Sequence, residues 1–213
     1  LTVQDAWPGW DFGSTSTLVF DDPSGTASLN VWTPAAGLSH HSAEVSLCDV
    51  ELASDLQVAI DGPYEVEFSD ITGPSGLDIS AGQGSVHLGS NSNSYAGGTI
   101  LRSGRLNVYS DGELGDVSST LELAGGTLRM LTGEGDEVHR PVSVTGDAAV
   151  LCPWEDGATF SGPMTGPGTL TKTGEYALRI HTAVEGTGQW TVHEGELAVE
   201  EGGSVLDLAG VRL

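Results

Sequence analysis

Internal repetition is the feature of this sequence that most restricts its fold, because a long stretch of the chain occurs almost twice. The segment from Phe68 to Gly125 is repeated, with substitutions, from Phe160 to Gly210. The offset between the copies is about 92 residues over most of their length and falls to about 85 between Leu121 and Leu206. Repetition on this scale is typical of a chain that stacks equivalent coils along an axis.

The composition of the chain argues against several classes of binding partner. The chain has 213 residues, of which 31 are glycine, and its 30 acidic and 7 basic residues give a formal net charge of −23. Such a surface repels phosphate backbones and anionic lipids, so we expect neither nucleic-acid binding nor docking on an anionic membrane. No apolar run approaches the roughly 18–20 residues of a membrane helix, so we expect no membrane insertion of this segment.

The two cysteines do not suggest a metal site. Cys48 and Cys152 occupy different positions of the repeat and lack metal-ligand spacing. Two buried free thiols are the favoured interpretation, and a disulfide between them is the alternative.

Alternation of apolar and polar residues dominates the local pattern. Triplets such as Leu106-Asn107-Val108 and Leu121-Glu122-Leu123 recur along the chain. A period of two places both apolar side chains on one face of a strand and the middle residue in water. Turn-forming residues separate the triplets, and no window holds a helical apolar pattern for three turns. We therefore predict an all-β chain with almost no helix, apart from one turn near 113–116.

The repeat and the short strands together predict a parallel β-helix, a solenoid in which each coil stacks on an equivalent one. With about 20–25 residues per coil, the repeat is about four coils long, and its two copies align like with like along the axis. Stacking then places Leu106 and Val108 in the same interior wall as Leu121 and Leu123.

The N-terminal part fits the repeat poorly. Three of the five tryptophans, Trp7, Trp10 and Trp32, lie in this part. We predict an irregular N-terminal coil or cap over 1–61, continuous with a repeat-containing β-helix over 62–213, because a solenoid end exposes backbone and apolar surface that must be covered.

Three glycine-rich segments carry a family resemblance. Residues 166–174 read Gly-Pro-Gly-Thr-Leu-Thr-Lys-Thr-Gly, and residues 93–99 read Asn-Ser-Tyr-Ala-Gly-Gly-Thr, ahead of the Gly-x-Leu-x-Val of 104–108. With residues 110–128, they resemble the passenger-associated transport repeat (the autotransporter-associated β-strand repeat) of bacterial autotransporters, over about 68–213. The second copy departs from this repeat at Gln189-Trp190 and lacks the Asn-x-Tyr segment.

The resemblance implies a right-handed parallel β-helix that is secreted through the outer membrane and has few cysteines. It implies a structural and transport role for the repeat, and it carries no catalytic residues. We expect the chain to be an excised or mature segment, and a translocator barrel or another anchor outside it is left open.

Two clusters in the N-terminal part are candidates for ligand binding. Asp21-Asp22 is the only adjacent aspartate pair, and paired carboxylates can act as acid and base on a glycosidic bond, although the following Pro23-Ser24-Gly25 predicts a turn. Trp7 and Trp10 can form a platform for sugar rings, or they can cover one end of the core. We keep Trp7, Trp10, Asp21 and Asp22 as the candidate ligand surface.

Metal and nucleophile motifs are weak. His40-His41 and the acidic segment 133–137 are interpreted as solvated loops, with a metal site and weak Ca²⁺ binding as the alternatives. The sequence holds no Gly-x-Ser-x-Gly, phosphate-loop or dinucleotide pattern. We expect no cofactor and no catalytic residue.

We therefore predict a non-enzymatic, extracellular solenoid: a stalk or adhesive passenger of a bacterial surface or secreted protein. Its expected partners are host or matrix glycans, matrix proteins or further copies of the chain. One alternative is a polysaccharide-active β-helix enzyme or carbohydrate-binding module, and a second is a self-associating structural protein.

Overall fold

The computed structural model is an all-β solenoid of parallel strands, as the sequence predicts. It describes residues 2–4, 10–12, 17–32, 44–131, 136–186, 188–199, 205–206 and 211–212, with side-chain surroundings for the four longest of these ranges. Among these residues the one helical segment is a 3₁₀ turn, Asp111–Leu114, which overlaps the predicted turn near 113–116. No helix in the described part of the chain is long and apolar enough to span a membrane.

The strands are short, as expected from the alternating triplets. The first half of the chain contains β1 (Thr2–Gln4), β2 (Trp10–Phe12), β3 (Leu18–Phe20), β4 (Thr26–Trp32), β5 (Glu44–Leu47), β6 (Val50–Leu52), β7 (Asp55–Asp61), β8 (Glu65–Phe68), β9 (Ile71–Thr72), β10 (Leu77–Leu88) and β11 (Thr99–Val108). The second half contains β12 (Leu121–Leu123), β13 (Thr127–Met130), β14 (Glu137–Val138), β15 (Val142–Val144), β16 (Ala148–Leu151), β17 (Ala158–Phe160), β18 (Met164–Thr165), β19 (Leu170–Thr173), β20 (Leu178–Ile180), β21 (Val184–Glu185), β22 (Trp190–Val192), β23 (Leu197–Val199), β24 (Val205–Leu206) and β25 (Val211–Arg212).

The strands form three walls, because equivalent strands of successive coils pair in parallel. The first wall stacks β1, β4, β7, the start of β10, the start of β11, β12, β15, β18, β21 and β24. The second wall stacks β2, β5, β8, the end of β10, the end of β11, β13, β16, β19, β22 and β25. The third wall holds β3, β6 and β9 in the N-terminal coils and β14, β17, β20 and β23 in the C-terminal coils.

Coil length is regular through most of the stack. Leu77 pairs with Thr99, and Thr99 pairs with Leu121, so each of these coils advances by about 22 residues, within the predicted range. About seven turns lie between Asp55 and Val199.

Aligned apolar columns form the core. One column of buried side chains in the first wall contains Ala27, Leu56, Leu77, Leu121, Val142, Met164 and Val184, with the buried Thr99 between Leu77 and Leu121. Burying one large aliphatic side chain of this kind stabilises the fold by about 1.5–3 kcal/mol. Because the columns run through successive coils, each coil is stabilised mainly by its two neighbours.

The corner between the first and second walls requires glycine within β11. Gly104 has a φ of +81°, and a Cβ at this position would lie 2.5 Å from the Cβ of Ala81 in the preceding coil. Glycine is the residue that adopts this backbone conformation without steric cost. The corner therefore accounts for the glycine of the Gly-x-Leu-x-Val pattern at 104–108.

The predicted wall of Leu106, Val108, Leu121 and Leu123 is wrong. All four side chains are buried, as predicted. However, the end of β11 pairs with β13 in the second wall, while β12 pairs with the start of β11 in the first wall. A corner of the coil therefore separates the two pairs.

The sequence repeat is also not the structural repeat. Parallel pairing from Val86 in the second wall passes through Leu106, Leu128 and Val150 and reaches Lys172 after four coils. The sequence repeat instead matches Val86 with Leu178, which lies on β20 in the third wall. All three walls follow the same period of two, so sequence matching places a triplet of one wall on a triplet of another.

Side-chain hydrogen bonds replace the strand pairing that the third wall lacks between β9 and β14. The buried Asn93 amide takes a strand residue's place: its Oδ1 accepts a hydrogen bond from the Ile71 N–H at 2.8 Å, and its Nδ2 donates to the Glu113 carbonyl oxygen at 2.7 Å. Backbone groups that lose their strand partner are satisfied in this way by a buried side chain.

Arg140 organises the bulge at 111–119. Its side chain is 1% exposed, and Nε donates to Asp111 Oδ1 at 2.6 Å. The two terminal nitrogens donate to backbone carbonyl oxygens of the bulge, among them those of Asp111 and Leu114 at 2.6 Å, and to the Ser119 hydroxyl at 3.1 Å. A buried guanidinium is tolerated because its donors are paired, and it fixes the path of the bulge.

Glu113 is the buried acid of this bulge. It is 3% exposed, and its Oε2 accepts a hydrogen bond from the Tyr109 N–H at 2.7 Å. Burial raises the pKa of the Glu113 carboxyl to about 7, and the Asp136 carboxylate adds to the rise.

Leu106 and Glu122 test which residues face inward. Leu106→Asp places a charge in the dry core and should lower the free energy of unfolding by at least about 4 kcal/mol. Glu122 faces outward and accepts a hydrogen bond from the Thr145 hydroxyl at 2.8 Å, so Glu122→Lys should cost less than about 1 kcal/mol. Urea unfolding of both variants measures the difference, and equal costs would contradict the described pleat.

Glu113 gives a pH dependence of stability. Its folded pKa of about 7 exceeds the ordinary value of 4.5, so between these values the folded chain holds a proton that the unfolded chain has released. The free energy of unfolding should therefore fall as pH rises through this window, because the folded state binds more protons.

Glu113→Gln should remove this part of the slope, since the amide oxygen can still accept the Tyr109 N–H and does not titrate. Urea unfolding of wild type and variant from about pH 4.5 to above pH 7 measures the slope. Glu122→Gln, a change at an outward carboxylate, is the matched control and should retain the wild-type slope. Parallel slopes for Glu113→Gln and wild type would show that the buried carboxyl does not carry the effect.

Candidate functional site

The aspartate pair lies in a turn that its own hydrogen bonds stabilise. Asp22 Oδ1 accepts hydrogen bonds from the Ser24 hydroxyl at 2.6 Å and the Ser24 N–H at 2.7 Å, and these bonds lower the pKa of the Asp22 carboxyl. The Ser54 hydroxyl donates to Asp21 Oδ1 at 3.4 Å and ties the turn to a later coil. A glycosidase general acid requires a raised pKa, so the environment of Asp22 does not favour that role.

Most of the other N-terminal candidate residues lie outside the described part of the chain. Trp7 lies outside the described residues, as do His40 and His41. Trp10 belongs to β2, where its backbone pairs with Val45, and its side chain lies outside the described part.

Histidines and acids do not converge on a metal site within the described residues. Residues 133–135 of the acidic segment fall outside the described part. At its end, Glu137 lies between two imidazoles: its Oε2 is 4.0 Å from His139 Nδ1, and its Oε1 is 3.8 Å from His181 Nδ1.

Ser161 beside His139 resembles part of a catalytic triad but has the wrong arrangement. The Ser161 hydroxyl lies 2.7 Å from His139 Nδ1, which is also the nitrogen nearest to Glu137. In a Ser-His-acid triad the two partners occupy opposite nitrogens of the ring, so that one orients the imidazole and the other is deprotonated. Here one nitrogen faces both groups, so this geometry does not activate Ser161.

The buried lysine and cysteine have structural environments. Lys172 is 1% exposed, and its Nζ donates to the carbonyl oxygens of Thr173 and Gly174 at 2.7 Å and of Glu194 at 3.0 Å. Burial lowers the pKa of Lys172 and raises the pKa of the Cys152 thiol to about 11, which keeps the thiol protonated at neutral pH. Cys48 and Cys152 are both free; Cys152 is buried, as predicted, whereas Cys48 is only partly buried.

Lys172 explains one position of the glycine-rich segment 166–174. The lysine takes an inward place in the second wall, where neighbouring coils carry Val150 and Val192. Its ammonium reaches the corner and satisfies three carbonyl groups there. The role of this lysine is therefore to close a corner of the coil, and none of these contacts points to catalysis.

An aromatic cluster at the corner between the second and third walls was not predicted. This cluster, named here the aromatic strip, consists of His87, Tyr109 and Trp154. The His87 and Tyr109 ring centroids are 5.2 Å apart with an interplanar angle of 47°, and those of Tyr109 and Trp154 are 5.9 Å apart with an interplanar angle of 63°. Tyr109 is 39% exposed and Trp154 is 45% exposed.

Two polar atoms beside the aromatic strip are buried without a hydrogen-bond partner: His87 Nε2 and Asn107 Oδ1. His87 and Asn107 pair directly across β10 and β11, and the Asn107 side chain is 6% exposed. His87 Nδ1 lies 3.9 Å from the carboxylate of Glu67 on the preceding coil. Burial and a hydrogen bond with Glu44 raise the pKa of Glu67.

The sequence contains a partial signal for this strip. His87 is the outward middle residue of an alternating triplet, and Tyr109 directly follows another triplet. Trp154 lies two coils beyond Tyr109, in the turn after β16. The contact between these rings depends on how the coils stack at the corner, which sequence spacing alone does not specify.

Comparison with known proteins gives one adhesin. Over 112 residues, or 53% of this chain, the sequence is 33% identical to the adhesin BmaC autotransporter of Brucella suis biovar 1 (strain 1330). This match corresponds to 3% of that protein's length. No family model and no solved structure match the chain. The similarity and the solenoid fold fit the autotransporter passengers broadly and are consistent with an adhesin-like role.

Proposed function

We propose that this chain is an adhesive, non-enzymatic solenoid segment of an autotransporter-like protein at the cell surface or secreted from the cell. The observation that carries the proposal is the similarity of half the chain to an autotransporter adhesin, found on a chain that folds as a continuous parallel solenoid. The whole relative is far longer, so the activity assigned here is that of this segment.

The architecture suits a surface scaffold. Continuous parallel pairing joins successive coils in the first and second walls from β1 to β25, which gives a stiff rod with outward side chains at fixed spacing. Most pairings join residues about 20–22 positions apart, so each coil can fold on the one before it as the chain emerges from a secretion pore.

In this proposal 1–61 forms the first coils or cap of the rod and 62–213 continues it. Partners are host or matrix glycans, matrix proteins or sister chains, and no cofactor takes part. The high negative charge keeps the surface from binding polyanions. The N-terminal candidate surface of Trp7, Trp10, Asp21 and Asp22 remains part of the proposal as a secondary contact region.

Surface display tests the adhesive role. The full chain, fused to a heterologous outer-membrane translocator in a non-adherent bacterium, should bring cells to host-cell monolayers or matrix-coated wells in excess of the empty translocator. The control is the Leu106→Asp chain, which should bind less because its solenoid is strongly destabilised. Protease protection of the displayed chain verifies folding. A folded, displayed chain that adheres no better than the empty translocator would refute the proposal.

A further inference from the structure

We propose that the aromatic strip of His87, Tyr109 and Trp154 is a binding platform for neutral glycans, with pyranose rings stacked along the solenoid axis. This inference rests on the proposed adhesive function and names its ligand class and its site. It places the glycan platform in the middle of the chain, away from the N-terminal tryptophans.

Exposure of the strip is the first support. Tyr109 and Trp154 are among the few large apolar side chains exposed in the described part of the chain, and they contact each other at the surface. Contiguous apolar surface that a protein leaves exposed is one sign of a binding site. An aromatic ring presents a flat, apolar face with negative charge density, which suits the C–H face of a sugar ring.

The solenoid sets the spacing of the rings. His87 and Tyr109 come from consecutive coils, and their centroid separation of 5.2 Å is close to the spacing of about 4.7–4.9 Å between paired strands. The turn after β16 adds the larger indole of Trp154 at 5.9 Å from Tyr109. The rings therefore follow the axis, and a short oligosaccharide can contact more than one of them.

Unpaired polar atoms are the independent support. Asn107 is 94% buried, because its exposed fraction is 6%, and its Oδ1 has no partner. His87 Nε2, directly across the strand pair, also has none. Such atoms cost about 1–3 kcal/mol each when they are left unpaired, and native proteins contain few of them. In the proposed complex, sugar hydroxyl groups supply the hydrogen-bond partners that both atoms lack.

The local charge selects a neutral sugar. The Glu67 carboxylate lies 3.9 Å from His87 Nδ1, and the chain carries a formal net charge of −23. An acidic glycan would meet the net negative charge of the whole surface. The strip is also small, whereas a stable protein partner covers about 800 Å² of each surface. Stacking combined with hydroxyl hydrogen bonds therefore favours a neutral oligosaccharide over a protein.

Glycan binding by the purified full chain tests the proposal. Arrays of neutral oligosaccharides (glucans, mannans, galactans and chitin fragments) should include binders, and heparin fragments should not bind. For the best binder, calorimetry should show that Trp154→Ala and Tyr109→Ala each weaken affinity about tenfold, which corresponds to about 1.4 kcal/mol. Trp154→Phe should recover part of the loss because it restores a stacking ring.

A control variant separates the strip from other surfaces. Val117, which is 56% exposed, gives the matched control Val117→Ala, which should leave affinity unchanged. Thermal unfolding of every variant verifies that the fold is intact, which is expected because Tyr109 and Trp154 lie at the surface.

The outcomes distinguish this inference from the proposed function. The inference fails if no neutral glycan binds, if only anionic glycans bind, or if binding survives the Tyr109→Ala, Trp154→Ala double variant. If cells that display the double variant still adhere, the adhesive function stands and the strip is not its site. If the purified chain binds glycans through the strip but the displayed cells do not adhere, the strip remains a glycan-binding site and the adhesive role is refuted.

Discussion

Parallel backbone pairing in a fixed register is the constraint on which the rest of the structure depends. Leu77, Thr99 and Leu121 pair in sequence along the first wall, and every such pairing keeps inward residues above inward residues. Because side chains alternate between the two faces of a strand, a slip by one residue would turn a whole strand's apolar set to water. The register therefore aligns the core, and it also fixes the spacing of every outward side chain.

Three of the buried polar side chains lie where the backbone leaves this pattern. Asn93 replaces a strand in the third wall, Arg140 fills the bulge at 111–119, and Lys172 closes a corner of the second wall. Each of them donates to backbone carbonyl oxygens, which would otherwise be buried without a partner. The irregular backbone needs these three side chains to satisfy its carbonyl groups. Their charge or polarity is therefore not in itself a sign of catalysis.

The sequence predicts the strands and their buried faces, but it does not predict the features that depend on the corners of the coil. Alternating triplets predict the strands and their buried faces, because the period of two is set by the pleat alone. The wall to which a triplet belongs depends on turn geometry, and all walls obey the same alternation, so Val86 was matched with Leu178 instead of Lys172. The contact of Tyr109 with Trp154 was missed for the same reason, since corner loops of different coils bring the rings together.

Backbone pairing also explains how such a fold can acquire a binding surface. The ladder is made of main-chain atoms and the core of inward side chains, so outward and corner residues can change with little cost to stability. Asn107 shows the division: its neighbours Leu106 and Val108 are fully buried, while Asn107 itself pairs with His87 of the aromatic strip and has an unpaired carbonyl oxygen. Retaining an unpaired polar atom costs stability without helping the core. That cost is explained if Asn107 serves recognition, and this makes the corner beside the second wall the place where ligand specificity would arise.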